Sequence, residues 1–262
     1  QTLTVGGGNG ETDTIAHPLR FARQQAVGNL QSDSFVPANP LEKESERRAE
    51  KEKFLSMLSH ELRNPLSVIR LVTNDGTSSG KAVHKAVLEM AQIIERVEQS
   101  EKLGDAGLQR QRTSVDLGPA LREIAASHPA SSQLGVEAPV NLVVETDEEL
   151  LRSIVRNLLD NAAKYSPEGS RIHLVLTARS HAGSEGVELC VLNEVGDAGV
   201  PDVDKLFTKY YRSKGAHRRP GSGLGLFLVA SWTKNLGGKI SYELIDRGND
   251  NSLVCFSLWL PK

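Results

Sequence analysis

The stretch Phe54-Leu55-Ser56-Met57-Leu58-Ser59-His60-Glu61-Leu62-Arg63-Asn64-Pro65-Leu66 decides how the chain is read. Leu55, Leu58, Leu62, Leu66, Ile69 and Val72 recur at steps of three and four residues, which makes one apolar stripe on a helix that needs a partner. At ~100° per residue from Leu58, His60 falls roughly opposite that stripe and faces water beside the Glu61 carboxylate. Pro65 has no amide to donate to the Glu61 carbonyl, so the helix is expected to bend about one turn beyond the histidine. That frees a carbonyl and tilts the imidazole outward.

Outward from this stretch the pattern stays helical. The charged run Glu42 to Lys53 leads in as a solvated face, and a rod from Leu41 to Thr73 would span about 50 Å at ~1.5 Å per residue. Asn74 to Gly80 reads as a turn. Val83, Val87, Met90, Ile94 and Val97 then follow at the alternating spacing of a coiled-coil seam. An antiparallel hairpin leaves these faces half covered; pairing two hairpins in a four-helix bundle buries them and predicts a homodimer.

Composition narrows the class. The 262 residues suggest about two domains, and 39% hydrophobic content can build an ordinary core. A formal charge of -2 gives no basic excess, so nucleic acid is not an expected partner. Cys190 and Cys255 lie in strand-like apolar runs, without metal-ligand spacing, and read as buried thiols of a reducing compartment. No run approaches roughly 18 apolar residues and no signal-peptide pattern is present, so the expectation is a soluble, cytoplasmic piece. It begins with Gln1 rather than a methionine, which is compatible with a longer polypeptide. Contact with a membrane would come only through a segment absent from this chain.

Three parts are expected. Residues 1–40, with Gly6-Gly7-Gly8, Pro18, Pro37 and Pro40, read as a linker or the remnant of an upstream input module; only Leu19 to Val27 could make a short helix. Residues 41–104 are the dimerising hairpin. Residues 105–262 are a second domain, entered through a polar joint from Gly104 to Arg112.

In that domain the pattern predicts a helix from Leu117 to Ser127 and a strand from Val140 to Val144. Thr146-Asp147-Glu148-Glu149 reads as a capping box with Thr146 as the cap. It opens a helix to about Tyr165 whose stripe is Leu151, Ile154, Val155, Leu158 and Ala162. Strands follow around Ile172 to Leu176 and Val187 to Val191, across a loop at Ala182 to Gly186. A long loop, Glu194 to Pro220, precedes a helix from Ser222 to Leu236 that Gly237-Gly238 terminates. Ile240 to Ile245 and Leu253 to Leu260 close with a hairpin, and Trp232 and Trp259 read as core. The fold class is α+β: a helical hairpin, then an α/β sandwich with a mixed, mostly antiparallel sheet.

Two constellations in this domain carry chemistry. Asn157, Asn161 and Lys164 fall on one helix side at spacings of four and three, bordering the buried stripe. A carboxamide oxygen suits Mg²⁺ as a hard ligand, and a lysine meets phosphate as a point charge. Gly221-Ser222-Gly223-Leu224-Gly225-Leu226 opens a helix, where close backbone approach and the helix's partial positive charge favour an anion. The loop between carries Lys205, Lys209, Arg212, Lys214, Arg218 and Arg219, as a lid over phosphates would.

Together these runs resemble a known family. His60-Glu61-Leu62-Arg63-Asn64-Pro65-Leu66 closely resembles the phosphoacceptor box of HisKA-type sensor histidine kinases. Asn157-Leu158-Leu159-Asp160-Asn161-Ala162-Ala163-Lys164-Tyr165-Ser166 resembles the asparagine box of the GHKL ATP-binding fold. Gly221 to Leu226 resembles the family's second glycine box, and Phe207 with Tyr210-Tyr211-Arg212 its phenylalanine box. The resemblance covers about residues 50 to 262.

The resemblance implies ATP and Mg²⁺ as cofactors, with Asn161 on the metal and Asn157, Lys164 and Tyr165 around the nucleotide. It also implies Phe207 and Arg212 in the lid and Gly221, Gly223, Leu224 and Gly225 at the phosphates. The first glycine box is looser: where the family places an aspartate for the adenine amino group, this chain reads Asn193-Glu194-Val195-Gly196-Asp197-Ala198-Gly199. Either Asn193 or Asp197 takes the base there, with Gly199 in the loop.

The implied activity is autophosphorylation of His60 by ATP and transfer to an aspartate on a response-regulator receiver domain. Neutral imidazole attacks through its lone pair while Glu61 holds the other ring N–H. Asn64, four residues on, is the candidate that orients water to dephosphorylate the regulator. The alternatives are a nucleotide-weak pseudokinase that docks on another kinase, and a GHKL ATPase of the gyrase or chaperone type, for which the exposed histidine is superfluous.

Overall fold

The fold was analysed in a computed structural model. It describes residues 2–6, 12–16 and 26–27, scattered helical residues between 52 and 94, and residues 111–262 apart from 214, 220 and 247–251. The described helical residues among 52–71 and among 80–94 lie where the two stripes predict helices, and Pro65 is one of them. His60, Glu61, Asn64 and residues 74–79 of the turn expected at Asn74 to Gly80 lie outside the described residues, and Gly80 is helical. Among the described residues no helix is long and apolar enough to cross a membrane.

Near the start, β1 (Thr2–Gly6) and β2 (Thr12–Ala16) pair antiparallel with Thr2 opposite Ala16. No element was expected there. The β-branched Thr2, Thr4, Val5, Thr12, Thr14 and Ile15 favour extended backbone, a signal the surrounding glycines hid. Ala26–Val27 forms a short strand, β3, rather than the end of a helix.

The remaining elements run β4 (Thr113–Asp116), α1 (Leu117–Ser127), β5 (Leu134–Glu137), β6 (Val143–Thr146), α2 (Glu148–Tyr165), β7 (Ile172–Ala178), β8 (Gly186–Glu194), α3 (Gly225–Asn235), β9 (Lys239–Ile245) and β10 (Leu253–Pro261). Six strands form one sheet in the order β3-β9-β10-β8-β7-β5, and β4 pairs with β6 in a small second sheet. Among the described strands of the larger sheet, only β5 against β7 is parallel. The sheet is therefore mixed and mostly antiparallel, as expected.

Strand alternation sets the core. Ile172, Leu174 and Leu176 of β7, Val187, Leu189 and Val191 of β8, and Phe256, Leu258 and Leu260 of β10 belong to one buried cluster with the helix stripes. That cluster includes Leu121 and Ile124 of α1, Ile154, Val155 and Leu158 of α2, and Leu228, Val229 and Trp232 of α3. The opposite face carries a small cluster of Leu192, Leu253 and Cys255, with Cys190 packed against it. Both cysteines are free thiols.

Three local expectations need correction. The cap of α2 is Asp147, not Thr146: its carboxylate accepts from the Leu150 amide at 3.1 Å. Thr146 is still in β6, paired with Thr113, and its hydroxyl is buried without a partner. The strand expected at Val140 to Val144 begins later, at Val143, and β4 and β5 were unforeseen, each being a short run made a strand by its partner, β6 or β7. Finally, α3 begins at Gly225 rather than Ser222. Gly221 and Gly223 have φ of 153° and 69°, left-handed backbone that no helix accommodates, so the glycine run is a turn ahead of the helix.

Candidate active site

A cavity of about 310 Å³ opens between α2, the loop after β8 and the start of α3. Helix α2 supplies Asn157, Asp160, Asn161, Lys164 and Tyr165 from one face, because positions three and four apart share a side. The glycine run supplies Gly221, Ser222, Gly223 and Gly225. The floor is the inner face of the sheet, with Asn193 of β8, Tyr242 of β9, and Val254 and Phe256 of β10.

The polar groups are poised for a ligand. Asn157 Nδ2 donates to the Ser153 carbonyl at 2.9 Å, which leaves its Oδ1 on the cavity side, 3.1 Å from where a Cβ on Gly225 would stand. Asn161 Nδ2 is buried and has no hydrogen-bond partner. A buried amide without a partner costs about 1–3 kcal/mol, which an anionic oxygen would offset. A Cβ on Gly221 would lie 2.3 Å from Lys164 Nζ, so glycine there lets the ammonium reach the turn. Lys164 Nζ also sits 4.9 Å from the centre of the Tyr165 ring.

Ahead of α3, the Leu224 amide donates to Ser222 Oγ at 3.3 Å, and the helix has no side-chain cap. Its first-turn amides and the glycine amides therefore present a positive end to the cavity. The donor set fits phosphate oxygens, and the Asn157 and Asn161 carboxamides fit a hard cation that keeps most of its water. Among the described residues no cluster of His, Cys, Asp or Glu could hold a metal by itself.

Behind the wall, His128 is buried, and its Nδ1 accepts the Ala130 amide at 3.1 Å. The neutral ring thus carries its proton on Nε2, which donates to Asp160 Oδ1 at 3.2 Å. Asp160 is held on the cavity rim by a residue 32 positions earlier in the chain. Sequence periodicity places Asp160 on the helix but gives no sign of the histidine behind it.

The basic loop is built onto the glycine run. The Tyr210 amide donates to the Gly223 carbonyl at 3.0 Å, with Tyr210 at φ 61°. Arg212 donates to the carbonyls of Ala216, at 2.7 Å, and Arg219, so its guanidinium folds the short turn at Gly215–Arg218 as well as facing the cavity.

Most of the site residues named from sequence meet here: Asn157, Asn161, Lys164, Tyr165, Asn193, Gly199, Arg212, Gly221, Gly223 and Gly225 all line the cavity. Three do not. Phe207 packs on the core cluster, Leu224 is fully buried as the pivot of the α3 start, and Asp197 is exposed at the tip of the loop. Of the two candidates for the base, the geometry brings in Asn193, buried at 4% exposure with its Nδ2 donating to the Glu194 carbonyl at 2.8 Å. Unforeseen from sequence are Tyr242, Val254 and Phe256, which local pattern marks only as strand core.

Two regions of the chain match known families. Residues 50–105 match the His Kinase A (phospho-acceptor) domain family, and residues 146–262 match the histidine kinase-, DNA gyrase B-, and HSP90-like ATPase family. The adaptive-response sensory kinase SasA of Gloeothece citriformis is 30% identical over 84% of this chain and 61% of its own length. The signal transduction histidine-protein kinase/phosphatase MprB of a Mycobacterium species is 29% identical over 83% of this chain and 45% of its own. The chain spans about half the length of the curated relatives it matches. The Acinetobacter baumannii histidine kinase AdeS shares the fold, with a TM-score of 0.56 and 19% identity over 77% of this chain and 97% of that one. With a phosphoacceptor helix region followed by an ATPase-type sandwich in this order, the chain belongs to the sensor histidine kinase family.

Proposed function

We propose that the chain binds ATP in the α2–α3 cavity, transfers the γ-phosphoryl group to His60, and passes it to an aspartate of a response-regulator receiver domain. The observation that carries this reading is the buried, unpartnered Asn161 amide beside the inward Asn157 oxygen, facing a glycine run in which Gly223 has no room for a Cβ against the Tyr210 and Tyr211 backbone. A triphosphate supplies what each group lacks.

In this reading the Lys164 ammonium, the glycine amides and the α3 start hold the phosphates, and Arg212 keeps the lid turn folded over them. Asn161, and Asn157 with its oxygen already turned inward, would hold Mg²⁺, which when bound offsets charge at the phosphates. The His60 lone pair forms the new N–P bond as the bond to the departing ADP oxygen breaks. Glu61 accepts the remaining ring N–H and offsets the positive charge that develops on the imidazole. Asn64 orients water for removal of the phosphoryl group from the regulator.

A homodimer goes with this reading. Leu66, Val87 and Ile94, all on the two helical stripes, are 53%, 49% and 50% exposed in the single chain. Pairing the two hairpins of two chains would cover them.

The test is incubation of the full chain with γ-labelled ATP and Mg²⁺ beside His60→Gln. Acid-labile, alkali-stable label on the wild type and none on the variant is expected. A wild type that binds ATP yet never acquires label would leave the docking-module alternative standing instead.

A further inference from the structure

Tyr242 is 1% exposed, and its hydroxyl is buried with no hydrogen-bond partner, although the residue forms part of the cavity floor. A phenylalanine would fill the same space without the cost of a buried hydroxyl left unpaired. The space is suited to an aromatic ring: Tyr242 lies opposite Phe256 in the strand register, edge to face with ring centres 5.4 Å apart. The hydroxyl therefore needs an explanation outside the packing.

The register supplies one. Asn193 of β8 lies opposite Val254 of β10, and Phe256, two residues along β10, lies opposite Tyr242 of β9. Because side chains alternate, all four share the inner face, so two polar groups flank an apolar platform made by Val254 and Phe256. Their hydrogen-bonding characters differ. Asn193 Nδ2 is already committed to the Glu194 carbonyl, which leaves Oδ1 to accept; the Tyr242 phenol is free to donate. Desolvation pushes the phenol up to about 12, so it stays protonated at any physiological pH.

We infer that Tyr242 is a base-reading residue of this cavity, its hydroxyl donating to a ring nitrogen of adenine while Asn193 Oδ1 accepts from the exocyclic amine. An acceptor on one side of the platform and a donor on the other match adenine, which offers an exocyclic amine and unprotonated ring nitrogens. Guanine presents the reverse, a carbonyl beside a ring N–H, and its carbonyl would face the Asn193 oxygen. Discrimination rests on Asn193, whose amide cannot turn without losing Glu194; Tyr242 adds affinity for the base that fits. This rests on the nucleotide-binding reading above and adds a contact to it.

Tyr242→Phe removes one oxygen atom and keeps the ring. Calorimetric titration of the full chain and this variant with ADP, GDP and inorganic tripolyphosphate tests the assignment. The expected result is an ADP affinity lowered about tenfold, within the range for one lost buried hydrogen bond, with tripolyphosphate binding unchanged and GDP weak in both. Equal ADP affinity in the two proteins would overturn the role of Tyr242. So would an equal loss for tripolyphosphate, since the hydroxyl would then act through the fold rather than on the base. Failure of the wild type to bind ADP at all would instead remove the nucleotide reading itself.

Discussion

The Gly196 amide donates to the Tyr165 carbonyl at 3.1 Å, tying the loop after β8 to the last turn of α2. The contact is so close that a Cβ on Gly196 would stand 2.4 Å from that carbonyl oxygen. Backbone meets backbone here, so no side-chain rotation relieves the clash. Two walls of the cavity, one bearing Asn161 and Lys164 and the other Asn193, are fixed relative to each other by this junction.

Gly196→Ala is therefore expected to cost about 1–3 kcal/mol of stability, as overpacking does elsewhere. The displaced loop should also weaken nucleotide binding. Denaturant unfolding and ADP titration of the variant check both, and a variant with wild-type stability would mean that the loop is not held by this contact.

The α2 cap gives a simpler case. Asp147 accepts from the Leu150 amide and also from the Gln111 amide at 3.2 Å, so one carboxylate closes the helix and fastens the chain entering the domain. Asp147→Ala should cost roughly 1 kcal/mol or somewhat more, whereas Thr146→Val, which removes a buried hydroxyl that bonds nothing, should be neutral or stabilising. Thermal unfolding of the two variants side by side distinguishes the observed cap from the one expected from sequence.

How much of this was legible in the chain depends on the range over which each feature is determined. Helix α1 and the span of α2 follow from local periodicity and were foreseen closely, as was the Asn157, Asn161 and Lys164 face, which is a property of one helix. The cap was misplaced by one residue because Thr146 and Asp147 are both good caps in isolation; pairing of Thr146 with Thr113 decides between them. β5 was invisible for the same reason: Leu134–Glu137 contains Gly135 and becomes a strand only beside β7. The choice between Asn193 and Asp197, and the presence of Tyr242, depend on which strand face turns inward across β8, β10 and β9, a long-range register that no local pattern encodes.

Asn161 offers a test in which stability and binding move apart. Its Nδ2 is buried and unsatisfied, and alanine is the better helix former, so Asn161→Ala should unfold at the same temperature as the wild type or higher without ligand. ATP binding should nevertheless be lost or fall by more than tenfold. A matching loss of stability would place the residue in the scaffold rather than in the ligand site.

The last expectation concerns alkaline pH. Burial raises the Tyr242 phenol from 10.0 to about 12. Below pH 10 the phenol is protonated in both folded and unfolded chains, so it contributes no pH dependence there. Between 10 and 12 the unfolded chain loses this proton and the folded chain keeps it, so the unfolded state binds fewer protons and stability falls as pH rises. In Tyr242→Phe that contribution is absent. The midpoint of thermal unfolding, followed from pH 8 upward, should therefore fall more steeply in the wild type than in the variant once pH passes about 10. Parallel curves would mean that the folded phenol ionises as readily as the unfolded one, and so that burial does not hold its proton.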